Sequence, residues 1–367
     1  FKAWAYEDES RTELLVTTYN SMFNQIVPRK WNGSHLVLHG LSDAYVAYQH
    51  QLNAIWRILV SGNTLLAHVV GAGKSLTMMS ASMELRRLGK AVKPVHAVPN
   101  HMLLQYTAEF LRAYPNAKVL MADKESLTGD KRREFAARVA TGDWDAVIMT
   151  HASFERLPMR PETTKRFVQE MLDKARLALS LANDTGAKRS IKELEKRLKT
   201  LEAKLKDQMA DSKKDGLVYF EDLGIDYVFC DEMHLFKNLM RISKMPRIAG
   251  LPNSASQRAF DLLIKSNVLS SMLGGKEEGL VGATATPIAN SIAEMHVMQR
   301  FIQPNTLAEL GLDEFDAWAA TFGEAVTGME IAPDGSGYRM NTRFAKFVNV
   351  AELMAIFRMR ADIQTRS

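Results

Sequence analysis

Between residues 64 and 150, short apolar runs alternate with stretches of helical periodicity, and this alternation constrains the fold more than any other feature. Strands are expected at 64–70, 92–98, 118–122 and 145–150, with helices over 74–88, 101–113 and 130–140 between them. The pattern resumes with a strand at 225–230, a helix at 255–273, a strand at 279–283 and a helix at 289–302. Strands separated by helices pair in parallel, so the pattern predicts an α/β chain with helices on both faces of one sheet. Ligands of such sheets bind beyond the carboxyl ends of the strands.

The alternation is interrupted. In residues 158–216, Ile191, Leu194, Leu198, Leu201 and Leu205 recur at three- and four-residue steps, and Phe167, Met171, Ala178 and Leu181 supply a facing stripe. With Asn183-Asp184-Thr185-Gly186 as the turn, this reads as a coiled-coil-like helical hairpin inserted between sheet strands. The segment holds 15 Lys/Arg against 10 Asp/Glu, an excess equal to the net charge of +5 for the whole chain. A solvated hairpin that docks a neighbour and a basic arm that touches nucleic acid both fit. The expected organisation is an N-terminal extension over 1–41, an α/β lobe over 42–157 and 217–304 around the hairpin, and a mainly helical region over 305–367.

A chain of 367 residues, 46% hydrophobic, can bury a core, and it has no long uncharged apolar run to cross a membrane. One cysteine, Cys230, and no signal-peptide pattern fit a reducing, cytoplasmic setting. The sequence opens on Phe1 rather than Met, as a piece of a longer protein would.

Three local patterns carry the chemistry. Gly71-Ala72-Gly73-Lys74-Ser75 stands between the first strand and the first helix of the alternation. Backbone N–H groups of such a turn cradle phosphates, the Lys74 ammonium reaches the β- and γ-phosphates of ATP, and the Ser75 hydroxyl ligates Mg²⁺. The strict loop has a glycine five residues before Gly73, where His68 stands. Asp231-Glu232-Met233-His234 follows the apolar run Tyr227-Val228-Phe229-Cys230. Of the two acids, Asp231 suits support of Mg²⁺ and Glu232 suits activation of water, with His234 as a coupling residue. The turn of Thr284 and Thr286 suits sensing of the γ-phosphate. Cys230 reads as a packed core thiol.

With these motifs the chain resembles the first RecA-like lobe of a superfamily 2 helicase or translocase, in particular the Swi/Snf remodelling-ATPase branch. That branch has a Gly-Lys-Thr loop, a DEAH box followed by Lys-Asn, and Thr-Pro-Ile-Gln-Asn-Ser. Here Gly73-Lys74-Ser75, Asp231-Glu232-Met233-His234 with Lys237-Asn238, and Thr286-Pro287-Ile288-Ala289-Asn290-Ser291 stand in the same order. Ala289, Met233 and His68 depart from the pattern. The resemblance implies a RecA-like phosphate-loop fold, ATP and Mg²⁺ as cofactors, and DNA, contacted through its backbone, as partner. It implies an adenine-reading glutamine at Gln51, with Gln49 as substitute. It also places nucleic-acid contacts at Pro99, Asn100 and His101 and at Thr150, His151 and Ser153, where helix capping is the alternative. Phe1 to Trp4, Tyr19-Asn20, Phe23-Asn24, Gly33-Ser34-His35-Leu36, the basic hairpin insertion and Phe315-Asp316-Ala317-Trp318 are similar to the helicase module of large bacterial, phage and plasmid proteins that join a DNA adenine methylase to a helicase. No Asn-Pro-Pro-aromatic signature of the methylase occurs in this chain, and no Gln-x-x-Gly-Arg-x-x-Arg stretch follows Thr286. A second lobe bearing the arginine finger is therefore expected outside this sequence. A non-hydrolysing scaffold and the motor of a restriction or anti-restriction assembly are the rival readings.

Overall fold

The computed structural model describes residues 4, 7–20, 29–122, 126, 131–183, 199, 203, 218–239, 248–249, 256–289, 291–331 and 338–365. In chain order its helices and strands are α1 (Glu9–Tyr19), α2 (Gln49–Ser61), β1 (Thr64–His68), α3 (Lys74–Arg87), β2 (Pro94–Val98), α4 (Leu103–Ala113), β3 (Val119–Ala122) and α5 (Lys131–Thr141). Then come β4 (Ala146–Thr150), α6 (His151–Glu155), α7 (Pro161–Asn183), β5 (Tyr227–Cys230), β6 (Ile248–Ala249), α8 (Gln257–Met272) and β7 (Leu280–Thr284). The last are α9 (Ala293–Ile302), α10 (Pro304–Glu309), α11 (Phe315–Phe322), β8 (Gly323–Ile331), β9 (Tyr338–Phe347), α12 (Val350–Arg358) and β10 (Ala361–Gln364).

Seven strands form one sheet in the order β10-β1-β7-β5-β2-β4-β3, and every pairing in it is parallel. The expected α/β fold is the observed one, a RecA-like sheet with helices on both faces. Successive strand residues point to opposite sides, and their burial follows that rule. Val95, Ala97, Val147, Met149, Val228 and Cys230 enter one core with residues of α8, α9 and α11. Their neighbours Val98, Ala146, Ile148, Tyr227, Phe229 and Val281 enter a second core with residues of α2, α3 and α4. Cys230 is fully buried, as a packed thiol would be.

The expectation of a mainly helical region over 305–367 is corrected. Beside α10, α11 and α12 it contains the antiparallel hairpin β8–β9, which β6 joins as a third strand, and β10. Ala, Met, Arg and Lys within 323–347 are good helix formers. Val, Thr, Ile, Tyr and Phe stand among them, and pairing of the two runs selects strand. β10 extends the main sheet beyond residue 304, pairing with β1 from Leu65↔Ala361 to His68↔Gln364. Of the inserted hairpin, the first arm is the helix α7, which packs at its base through Phe167 against Phe260. The turn at 184–186 and the second arm lie outside the described residues, apart from single positions. Among the described residues no helix is long and apolar enough to cross a membrane.

Candidate functional site

The phosphate-loop candidate leaves β1 at His68 and enters α3 at Lys74. Gly71 and Gly73 take φ values of 88° and 73°, a region other residues enter at a cost. Gly73 is needed for a second reason: a Cβ there would lie 2.2 Å from Gln51 Nε2, whereas one at Gly71 would meet open space. The loop is braced from α2. Gln51 Nε2 donates to Gly73 O at 3.1 Å and His50 Nε2 to Ala72 O at 3.0 Å. Lys74 Nζ donates to His68 O at 3.0 Å and Val69 O at 3.4 Å, so the ammonium is held over its own loop. Ser75 is half-buried in the first turn of α3.

Gln51, the candidate adenine-reading glutamine, packs against the loop. It is 2% exposed, its Oε1 accepts from Tyr48 N–H at 2.8 Å, and its amide nitrogen grips the loop. Gln49 Nε2 bonds Asn53 Oδ1 at 2.7 Å. His68, the departure from the strict loop, is fully buried, and its Nε2 lies 2.6 Å from Asp362 Oδ2 of β10. Asp362 also takes Arg57 Nη1 at 3.3 Å. Burial opposes ionisation of Asp362, but the His68 bond and the charges of His68 and Arg57 outweigh it and hold the carboxyl below its usual range. This clamp joins strands far apart in the chain, and no local pattern announces it.

β5, buried along its whole length, delivers Asp231 and Glu232 to the same sheet edge. Asp231 N–H donates to Ala97 O of β2 at 2.9 Å, and Asp231 Oδ1 accepts from Glu232 N–H at 2.9 Å. Burial, then the neighbouring Glu232, pushes the Asp231 carboxyl up to about 6, against the opposing pull of Glu232 N–H and the Lys74 charge. Glu232 adopts φ 50°, ψ 49°. His234 Nδ1 lies 3.1 Å from Glu232 Oε2 and 3.2 Å from Thr284 Oγ1, and Thr286 N–H donates to that hydroxyl at 3.1 Å. The candidate base, the candidate coupling histidine and the threonine turn are therefore one hydrogen-bonded unit. Met233 enters this unit from below: a Cβ on Gly282 would sit 2.0 Å from its Sδ, so the bulkier residue of the box is accommodated by a glycine in β7. Glu294, which sequence reasoning missed, joins two motifs. It takes Lys237 Nζ at 3.0 Å on Oε1 and Ala289 N–H at 2.6 Å on Oε2. Asn290 lies outside the described residues.

Among the described residues no group of three or more His, Cys, Asp or Glu is placed to hold a metal. The candidate Mg²⁺ donors, the Ser75 hydroxyl and the Asp231 carboxylate, are both hard oxygens, and a carboxyl whose ionisation burial makes costly is one a cation would stabilise. The residues fit the ion.

The expected nucleic-acid contacts divide. Asn100 and His101 are exposed, and Pro99 is buried. Thr150, His151 and Ser153 are each only 2% exposed, and the capping alternative describes Thr150 and Ser153. Thr150 Oγ1 accepts from Ser153 N–H at 3.0 Å as the cap of α6. His151 turns inward and bonds Asp231 O at 2.9 Å, and burial pushes its imidazole down to about 4, which keeps it neutral.

A parallel sheet whose carboxyl edge gathers a glycine loop with lysine, an acidic pair and a threonine turn defines a helicase-like motor lobe. The chain belongs to the probable helicase domain family, whose model matches residues 56–365. It is 25% identical to Defense against restriction protein B of Escherichia phage P1, a match over 100% of this chain and 18% of that protein's length. Among solved structures it is similar to the SWI2/SNF2 ATPase core domain of Sulfolobus solfataricus, at 12% identity and a TM-score of 0.47 over 92% of this chain and 48% of that one. The same core in complex with dsDNA matches at 11% identity and a TM-score of 0.46, over 90% and 46% of the two chains.

Proposed function

We propose that this chain is the ATP- and Mg²⁺-binding first motor lobe of a DNA-dependent superfamily 2 translocase or helicase. The carrying observation is the order of strands at the carboxyl edge. β7, with Thr284 at its end, runs between β1, which leads to Lys74, and β5, which leads to Asp231 and Glu232. A phosphate chain held by the loop at 71–75 would thus face the acidic pair across the threonine turn.

In this reading Lys74 exchanges its bonds to His68 and Val69 carbonyls for phosphate oxygens. Ser75 and Asp231 hold Mg²⁺, which when bound supplies positive charge to the phosphates. Glu232 Oε accepts a proton from the attacking water, and His234 Nδ1 steadies that carboxylate and transmits its state to Thr284 and Thr286. Arginines from a second lobe outside this sequence would complete the stabilisation of charge on the transferred phosphoryl. Asn100 and His101 are the exposed candidates for DNA-backbone contact. The basic excess of the hairpin adds to the attraction or docks a neighbouring domain, and a methylase domain in the parent protein remains part of the proposal. The phage relative's name favours the anti-restriction setting for such a motor.

Calorimetry with ADP·Mg²⁺ tests the binding half. This chain should bind, and Lys74→Ala should not; equal affinity would remove the phosphate-loop assignment.

A further inference from the structure

Glu232 is held in the left-handed region, and part of its restraint comes from outside the motif. Glutamate in the left-handed region persists only where the surroundings over-determine it. Among the described residues, Asn349 is the other non-glycine residue at positive φ, and asparagine tolerates that region. Here the Asp231–Glu232 peptide is held at both poles. Its N–H donates to Asp231 Oδ1, and its carbonyl accepts from His151 Nε2, each at 2.9 Å. A carbonyl can only accept, so Nε2 carries the proton and the imidazole tautomer is fixed. His151 cannot readily turn away, because its ring stands edge-on to Phe236 with centroids 5.0 Å apart. The helix α6 that carries it is gripped at its far end by buried Lys265, whose Nζ donates to Phe154 O at 2.6 Å. Beyond the strained residue, Glu232 O accepts from Leu235 N–H at 3.0 Å and begins the 3₁₀ turn that presents His234.

We propose that His151 is a positioning residue for hydrolysis: its bond to the Asp231 carbonyl keeps the Asp231–Glu232 peptide in the orientation that aims the Glu232 carboxylate at the attacking water. The proposal rests on Glu232 being the general base. Without the bond the peptide relaxes, and the carboxylate swings off the reacting position. The loop at 71–75 hangs from β1 and keeps its own bonds, so nucleotide binding survives.

The test is single-turnover ATP hydrolysis by the full-length protein carrying this chain, with duplex DNA present and ADP·Mg²⁺ affinity measured in parallel. H151F keeps a ring against Phe236 but has no donor; H151Q restores an N–H of similar reach. H151F should slow hydrolysis by roughly 10- to 100-fold, with affinity changed by less than about twofold, and H151Q should recover most of the rate. In an E232Q background, H151F should add no further loss, because the group it positions is gone. The thermal midpoint that H151F loses should be partly recovered in H151F/E232G, since glycine takes φ 50° freely. An H151F protein at full rate, an H151Q protein as slow as H151F, additive losses with E232Q, or no recovery with E232G would each overturn the proposal. An unaltered protein without ATPase activity, or E232Q as fast as the unaltered protein, would overturn this proposal together with the reading of Glu232 as base.

Discussion

The two halves of the candidate site are built by opposite means. On the β1 side the backbone adopts its unusual angles through Gly71 and Gly73, and the bracing residues His50, Gln51 and Lys74 lie within a short span of sequence. On the β5 side a glutamate takes the left-handed conformation, with restraints arriving from β2 through Ala97, from α6 through His151 and from β7 through Thr284. Local glycine makes a loop that tolerates change around it. Long-range hydrogen bonds make a geometry that depends on the whole sheet edge.

The sharpest way to break this comparison is to remove the candidate base from the β5 side. Glu232→Gln in the full-length protein should lower ATP turnover by about 10²-fold or more while leaving ADP·Mg²⁺ affinity within about threefold. Undiminished turnover would show that another group activates the water.

Smaller effects should follow from crowding. Gly73→Ala forces a Cβ against Gln51 at φ 73° and should cost about 2 kcal/mol of unfolding free energy, read by denaturant titration. Gly282→Ala displaces Met233 and should cost a similar ~1–3 kcal/mol. It should also weaken the link of His234 to Thr284, since Met233 precedes that histidine in the same turn. If Gly282→Ala is neutral in both stability and turnover, the β5 side is less tightly packed than the comparison requires.

Acid should distinguish the halves next. His96, stacked on Phe229 of β5 and bonded through Nδ1 to Tyr106 OH at 2.9 Å, is pushed down to about 3 by burial. Its folded value lies below the unfolded one. The stability this contributes is therefore fully present above about pH 6.5, and it is lost as pH falls towards the folded value, by up to ~1.4 kcal/mol per pH unit. His96→Phe should flatten the fall in urea midpoint between about pH 6.5 and 4, and an unchanged slope would place the acid sensitivity elsewhere. The smallest effect is expected at Gly71→Ala, where a Cβ meets open space and only the φ of 88° is costly, about 1 kcal/mol.

What could be read in the sequence follows the same division. The strand and helix alternation, the loop at 71–75 and the acidic pair after 227–230 are patterns of adjacent residues, and the structure arranges all of them along one sheet edge. Thr150, His151 and Ser153 also form a local pattern, but whether a polar side chain after a strand faces solvent or a neighbouring strand depends on packing that the pattern does not contain. The clamp of His68, Arg57 and Asp362 and the bridge of Glu294 to Lys237 were illegible because their partners are brought together only by tertiary folding. The hairpin β8–β9 was misread because good helix formers such as Ala325, Met329, Arg339 and Lys346 stand among its β-branched and aromatic residues, and pairing decides between the two.

The position of β1 in the sheet also bears on how the molecule is made. β1 pairs with β7 on one side and β10 on the other, and Asn63 Oδ1 takes the Leu280 N–H across 217 residues of sequence. As the chain emerges from the ribosome, β1 therefore has neither neighbour until most of these residues have been synthesised. Its unpaired edges are meanwhile open to wrong partners. The strand that leads to Lys74 is thus among the last to be locked in place, so a nascent or truncated chain lacks the pairing that holds its phosphate loop against the acidic pair.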